Sequence, residues 1–190
     1  MAWVLALSGF MGSGKSAVGR RVAHLLGWRF LDLDEQIERR LGTTIHHLIR
    51  SGGEPAFRVA ESEVLTAVLR ETTDAALVLA LGGGTVTISG AAEAVRRSGA
   101  IVFLELDPES SWERVRGSGR PLATSHDAFV ALAAERGPTY RNTADAVVAV
   151  AGRSEEDVAE ETVRVARRIP GWPGRGAGDD SYEGEEGCGA

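Results

Sequence analysis

Apolar residues along this chain follow two rhythms. Short runs dominated by them, at residues 3–7, 75–81, 101–106 and 146–150, read as strands buried on both faces of a sheet. Between the runs they return every third or fourth position, the spacing of a helix with one face in a core. Val18, Val22, Leu25 and Leu26 mark the first such helix, and residues 28–34 a short strand after it that ends in Asp32 and Asp34. Residues 35–41 and 43–50 read as two short helices, stopped by Gly42 and by Gly52-Gly53. A longer helix over residues 54–71 carries the stripe Phe57, Ala60, Val64 and Val68, widened by Leu65 and Leu69. Residues 91–97 are helical, Pro108 opens a helix over 109–116, and residues 126–142 and 155–168 form the last two. Five strands alternating with helices predict an α/β fold with a five-stranded parallel sheet, doubly wound and flanked by helices.

Chemistry enters between the first strand and the first helix. Residues 9–16 read Gly-Phe-Met-Gly-Ser-Gly-Lys-Ser, the spacing of a phosphate-binding P-loop in the strand–loop–helix context it requires. Its glycines let successive N–H groups point into one concavity, and the following helix adds unpaired donors and its dipole. Lys15 supplies a mobile charge for the β and γ phosphates, and the Ser16 hydroxyl a ligand for Mg²⁺. Gly12, Ser13, Gly14, Lys15, Ser16 and Ala17 are therefore assigned to ATP. A GTPase-like switch would add a base-reading Asn-Lys-x-Asp, which the chain lacks.

Alternation along the strand at 28–34 would put Asp32 and Asp34 on one face. The run at 77–81 lacks the acid that usually ends a Walker B strand, so Asp32 is assigned to the metal beside Ser16, leaving Asp34 for an acceptor hydroxyl. The alternative reading makes Asp32 a strand-end cap and Asp34 a helix N-cap. Residues 116–124 hold arginines and glycines without apolar periodicity, as a mobile lid would. Arg120 closing over a transferring phosphate would offset charge and exclude water. Arg58 and Glu61, three apart on one helix, can pair.

Composition narrows the class. With 190 residues, 43% hydrophobic and 25% charged, the chain can bury one domain, placed at residues 1–169. From residue 170 onward it turns to glycine and acid, an expected disordered and dispensable tail over 170–190. Five acids against Arg175 give residues 171–190 a charge of −4, leaving −2 of the total −6 for the rest. A near-neutral domain without a basic stripe argues against nucleic acid as partner. The only cysteine, Cys188, rules out an internal disulfide and fits a reducing cytoplasm. No apolar stretch approaches a membrane span and no basic segment precedes the first apolar run, so neither membrane nor secretion is expected. The four histidines show no metal-ligand spacing.

The P-loop, Asp32-Leu-Asp34, Phe57-Arg58 with Glu61, Leu81-Gly82-Gly83-Gly84, Arg120-Pro-Leu and Arg136-x-Pro-x-Tyr140 together resemble the shikimate kinases over about residues 3–168. The triple glycine and Asp-x-Asp are the specific part, since many families share the P-loop. The resemblance implies a nucleoside monophosphate kinase-like P-loop fold, and a cytoplasmic monomer using ATP and Mg²⁺. Its reaction would phosphorylate the 3-hydroxyl of shikimate on the route to chorismate and the aromatic amino acids. It implies that Arg58 and Arg136 hold the substrate carboxylate, which suits the guanidinium fork. Gly83, between Gly82 and Gly84, would offer its N–H to the substrate, and Asp34 would bind the reacting hydroxyls. Arg120 would reach the phosphates and Arg153 would line the adenine pocket. Lys15, Asp34 and Arg120 then form the catalytic set. Without the resemblance, Arg58 and Arg136 would read as solvated surface residues. Two rivals share the P-loop: another small-metabolite kinase, such as one for gluconate, and an inactive nucleotide-bound adaptor, which should have lost Asp34, Arg58 or Arg136.

Overall fold

Alternate residues of the first strand point into different cores. The computed structural model, which describes residues 3–117 and 125–173, places β1 at Val4–Ser8. Val4 and Ala6 enter one apolar cluster, and Leu5 and Leu7 the other. Strand alternation sends neighbours to opposite faces, so an unbroken apolar run requires cover on both sides. β3 (Leu77–Ala80) and β4 (Gly99–Glu105) divide in the same way, with Leu77, Leu79, Ile101 and Phe103 on one face and Val78, Val102 and Leu104 on the other. With β2 (Arg29–Asp32) and β5 (Ala146–Ala149) they form one sheet of order β2-β3-β1-β4-β5, every pairing parallel.

Helices α1 (Lys15–Leu26) and α7 (Glu155–Ala166) cover the Leu5/Leu7 face. The opposite face is covered by α2 (Leu33–Leu41), α3 (Ile45–Glu71), α4 (Ala91–Arg96), α5 (Pro108–Val115) and α6 (His126–Thr143). The expected α/β architecture is the observed one. In α3 the chain leaves helical geometry at Gly53 (φ 76°, ψ 173°), so the two helices expected on either side of Gly52-Gly53 abut across a kink. Pro55 lies just past it, in the first turn of the second segment, where a missing N–H costs no helical bond.

Two local expectations change. Asp34 is not a strand residue: β2 stops at Asp32, which caps α2 by accepting from the N–H groups of Asp34 and Glu35. A carboxylate able to cap the next helix ends the strand before period-2 alternation can reach residue 34. At the C-terminus, the tail expected from residue 170 begins with residues that pack on the domain. Trp172 stacks on Trp28 at 5.0 Å and meets Trp3 edge-on, also at 5.0 Å, beside the α1/α7 core. Residues 174–190, and the lid residues 118–124 with Arg120, lie outside the described residues.

His126, the first residue of α6, ties that helix to the first turn of α5. Its Nε2 lies 2.8 Å from Glu109, its Nδ1 3.3 Å from Asp127, and its ring meets Trp112 edge-on. The hydrogen bond to Glu109, then that to Asp127, raises the His126 pKa above its ordinary 6.5. A raised histidine pKa gives a stabilising pair that is complete below the ordinary value and lost as pH rises through the shifted one. Proton NMR should therefore show His126 titrating above 6.5, and Glu109→Gln should move it down. Truncation after Pro170 removes Trp172 and is predicted to lower Tm by about 3–6 °C, since roughly 1–2 kcal/mol shifts a chain of this size by a few degrees. Truncation after Pro173 should leave Tm within about 1 °C of the full chain, because it keeps the tryptophan cluster.

Candidate active site

The C-terminal ends of β1, β2 and β3 open onto one side of the sheet, where ligands of parallel α/β folds bind. After β1 the chain turns through Gly12 (φ 83°) and Gly14 (φ 86°), both in the left-handed region. Gly12 also lacks room for a side chain, since a Cβ there would stand 2.9 Å from the Ser111 carbonyl oxygen on α5. The first turn of α1 follows, with N–H groups that no helical carbonyl satisfies. Lys15 Nζ donates to the carbonyls of Gly9 (2.8 Å) and Phe10 (3.0 Å), which holds the ammonium over the loop.

Asp32 serves two neighbours with two oxygens. Oδ2 accepts from the Ser16 hydroxyl, while Oδ1 caps α2 through the Asp34 N–H at 3.0 Å. Capping and the assignment beside Ser16 are therefore compatible. The cap also sets Asp34 in the first turn of α2, where it reaches the same cleft of about 480 Å³ as Lys15, Ser16 and Asp32. Gly12, Ser13, Gly14, Ala17, Gly83 and Arg153 line that cleft too. Arg153 is held by its guanidinium to the carbonyls of Ala149 (3.3 Å) and Asp157 (2.8 Å).

Gly83 joins this cleft to a cluster of charges on the α3/α6 side. Arg58 Nη1 donates to Glu61 at 2.5 Å, and its Nη2 and Nε donate to Glu54 Oε1 at 2.7 and 3.2 Å. Arg136 Nη2 reaches the same Glu54 oxygen at 3.4 Å. Burial works against the Arg58 charge, but Glu61 and Glu54 outweigh it and hold its pKa above the ordinary value. Glu61 is fully buried and also accepts from the Thr85 hydroxyl at 2.5 Å. The glycine run passes through this crowd. A Cβ on Gly82 would meet Glu61 and would lie 2.8 Å from Asp34 Oδ1, and one on Gly84 would strike the Arg58 guanidinium. The Tyr140 hydroxyl donates to the Gly83 carbonyl, and burial pushes that phenol up to about 12, so it is a protonated donor at any physiological pH.

The family model described as Shikimate kinase matches residues 11–167. The chain belongs to the shikimate kinase family. Like its family, it is an ATP-dependent phosphotransferase with an alcohol group as acceptor. The shikimate kinase of Symbiobacterium thermophilum is 39% identical over 163 residues, 83% of this chain and 92% of that one. That of Mycobacterium avium is 43% identical over 148 residues, 76% and 82% of the two chains. A shikimate kinase structure from Acinetobacter baumannii, in complex with shikimate, superposes with a TM-score of 0.82 at 33% identity, covering 88% of this chain and 94% of that one. A gluconokinase from Sinorhizobium meliloti, the kind of rival weighed from the sequence, has a TM-score of 0.54 at 17% identity over 88% and 95% of the chains, a likeness of fold alone.

For this shikimate kinase family member, sequence reasoning missed several residues of the site. Arg114, on α5, lines the cleft and donates to the Gly12 carbonyl at 3.2 Å. Its signal was a basic residue in the last turn of the helix that leads into the lid. Glu54 read only as a helix start, and Thr85 carried no signal, because its partner lies 24 residues away.

Two glycines should respond differently to alanine. Gly82→Ala overpacks the Glu61–Asp34 crowd and is predicted to cost about 1–3 kcal/mol. Gly137, helical within α6, has nothing beyond its chain neighbours within 4 Å of an added Cβ, so alanine there should cost less than at Gly82, its gain in helix propensity offset by contact with Pro138. Urea denaturation of both variants checks this, and equal effects would show that crowding at Gly82 is not what requires glycine.

Proposed function

We propose that this chain transfers the γ-phosphoryl group of ATP to the 3-hydroxyl of shikimate, giving shikimate 3-phosphate for chorismate and aromatic amino acid synthesis. The observation that carries the residue roles is the position of Asp34, which shares a cleft with Lys15 and presses on Gly82 at the edge of the Arg58–Arg136 cluster. A carboxylate there stands between a phosphate site and a carboxylate site. That separation suits an acceptor carrying a hydroxyl near one end and a carboxylate at the other.

In this reading Gly12, Ser13, Gly14, Lys15, Ser16 and Ala17 cradle the phosphates of ATP, and Arg153, in the turn before α7, and Arg114, on α5, flank the nucleotide. Arg58 and Arg136 take the shikimate carboxylate through their planar forks, and the backbone of Gly82, Gly83 and Gly84 frames the ring. Asp34 orients the 3-hydroxyl and accepts its proton as the oxygen attacks the γ-phosphorus. The bond to the bridging oxygen then breaks and ADP leaves with that electron pair. Lys15 offsets the charge that shifts toward the bridging oxygen, and Arg120 is assigned the same work from the lid. Catalysis of this kind rests on positioning and electrostatics more than on covalent participation.

Mg²⁺ is proposed to accompany ATP. Ser16 and Asp32 are hard oxygen donors already in contact, and this cation commonly takes one or two protein oxygens with phosphates and water completing its shell. When bound it neutralises phosphate charge. The need for ATP supports a cytoplasmic setting.

An ADP-release assay with shikimate, quinate and gluconate side by side tests the acceptor, and two variants test the roles. Asp34→Asn keeps shape but loses basicity, so kcat should fall about 10²–10⁴-fold with little change in shikimate KM. Arg136→Lys keeps charge but loses the fork, so shikimate KM should rise about tenfold or more while ATP affinity holds. The reverse pattern, with Arg136→Lys weakening ATP and sparing shikimate, would move Arg136 to the nucleotide side and remove the case for a carboxylate-bearing acceptor.

A further inference from the structure

The arginine pair assigned to the acceptor carboxylate already has a carboxylate on it. Arg58 offers a carboxylate two edges of its guanidinium, and both involve nitrogens in use. Nε and Nη2 both donate to Glu54 Oε1, and Nη1 donates to Glu61. The same Glu54 oxygen also takes Arg136 Nη2. The Arg58 hydrogen bond holds Glu54 below the ordinary carboxylate range, against partial burial and with Arg136 adding to it, so Glu54 is ionised near neutral pH.

Formal charges within the cluster cancel, with Arg58 and Arg136 against Glu54 and Glu61. A third carboxylate brought to the arginines would leave an excess negative charge beside side chains that are only 17% and 11% exposed. One resident must withdraw. Glu61 cannot, having no exposed surface and being pinned by both Thr85 and Arg58. Glu54 is 40% exposed and follows Gly53, where the backbone of α3 is already out of helical geometry, so it can turn to water at little cost.

We propose that Glu54 is a built-in competitor for the acceptor's carboxylate, bridging Arg58 and Arg136 until the acceptor displaces it. This rests on the carboxylate-pocket reading given above. Glu54 keeps two arginines paired and aimed, and it lowers the affinity of every ligand that uses them. An acceptor without a carboxylate leaves Glu54 in place and pairs with neither guanidinium. Product bearing the same carboxylate leaves faster because Glu54 returns to the pair.

Titration calorimetry on the full chain tests this with two ligands, shikimate and its analogue carrying a hydroxymethyl group in place of the carboxylate. Glu54→Gln is close in shape and its side chain is part-exposed, so the fold should persist. Glu54→Ala, which removes every polar atom, serves as the second variant. Both should bind shikimate about tenfold tighter than the unaltered chain, the scale of one lost charge-assisted hydrogen bond, with the analogue unchanged. The gain should survive about 0.5 M KCl, where the Debye length falls to roughly 4 Å and general field effects fade. A gain that vanishes in salt would overturn direct competition. Unchanged or weaker shikimate binding in both variants, with shikimate still preferred over the analogue, would overturn the competitor role and leave the pocket standing. If the unaltered chain binds the analogue as tightly as shikimate, the carboxylate pocket itself is wrong, and the role of Glu54 falls with it.

Discussion

Burying the Glu61 carboxylate shapes the α3/α6 side of this molecule. Withdrawing a carboxylate from water costs several kcal/mol unless it is paired and hydrogen-bonded, and losing one partner of a buried pair costs about 3–5 kcal/mol. Arg58 and Thr85 meet that demand from two directions. Arg58 is thereby drawn inward from the flank of α3, with its ring-facing side 5.1 Å from the Phe57 centroid. Thr85 opens the 3₁₀ turn that follows the glycine run, so the run must pass close enough that Gly82 and Gly84 have no space for side chains. One buried charge thus ties α3 to the turn that follows β3.

The sheet supplies the complementary half. Its order sets β1 between β3 and β4, so the phosphate loop after β1 and the glycine run after β3 emerge side by side. Gly83 belongs to both halves: it lines the nucleotide cleft, and its carbonyl takes the Tyr140 hydroxyl. That bond anchors α6 one turn beyond Arg136, and the Tyr140 ring is stacked on Phe103 of β4 at 5.3 Å. Arg136 thus extends from a helix fixed to the sheet, which suits its proposed role of holding a ring in one orientation.

Charges on the α3/α6 side differ in how tightly they are held. Glu61 is enclosed and doubly bonded, while Glu54 is open to water beside a backbone kink. In the proposed competition, ligand exchange falls on the labile member and the enclosed one preserves the geometry. The same division appears at Asp32, whose Oδ1 is committed to capping α2 while Oδ2 faces Ser16. In both places a structural bond steadies the group proposed to meet the ligand.

Local pattern was enough to read the frame. Apolar runs marked four strands, the glycines at 42 and 52–53 marked helix ends, and the phosphate loop was legible because its function depends on backbone spacing within eight residues. Asp32 and Asp34 were found, but by an argument from strand alternation, and the capping bond that places Asp34 in a helix is a competition between local structures that periodicity does not register. Trp172 sat in a stretch whose composition reads as tail, and only its packing with Trp3 and Trp28 beside the α1/α7 face gives it partners. Arg58 and Arg136 stood out through a family resemblance, since an arginine's solvation depends on what the fold packs around it. Glu54 reaches Arg136 across 82 residues and Glu61 reaches Thr85 across 24, and no one-dimensional signal spans such separations. Sequence by itself determined where backbone geometry and apolar period create a phosphate site. Which charges are buried, paired or free to move was decided by tertiary structure, because desolvation is a property of the neighbourhood and not of the residue.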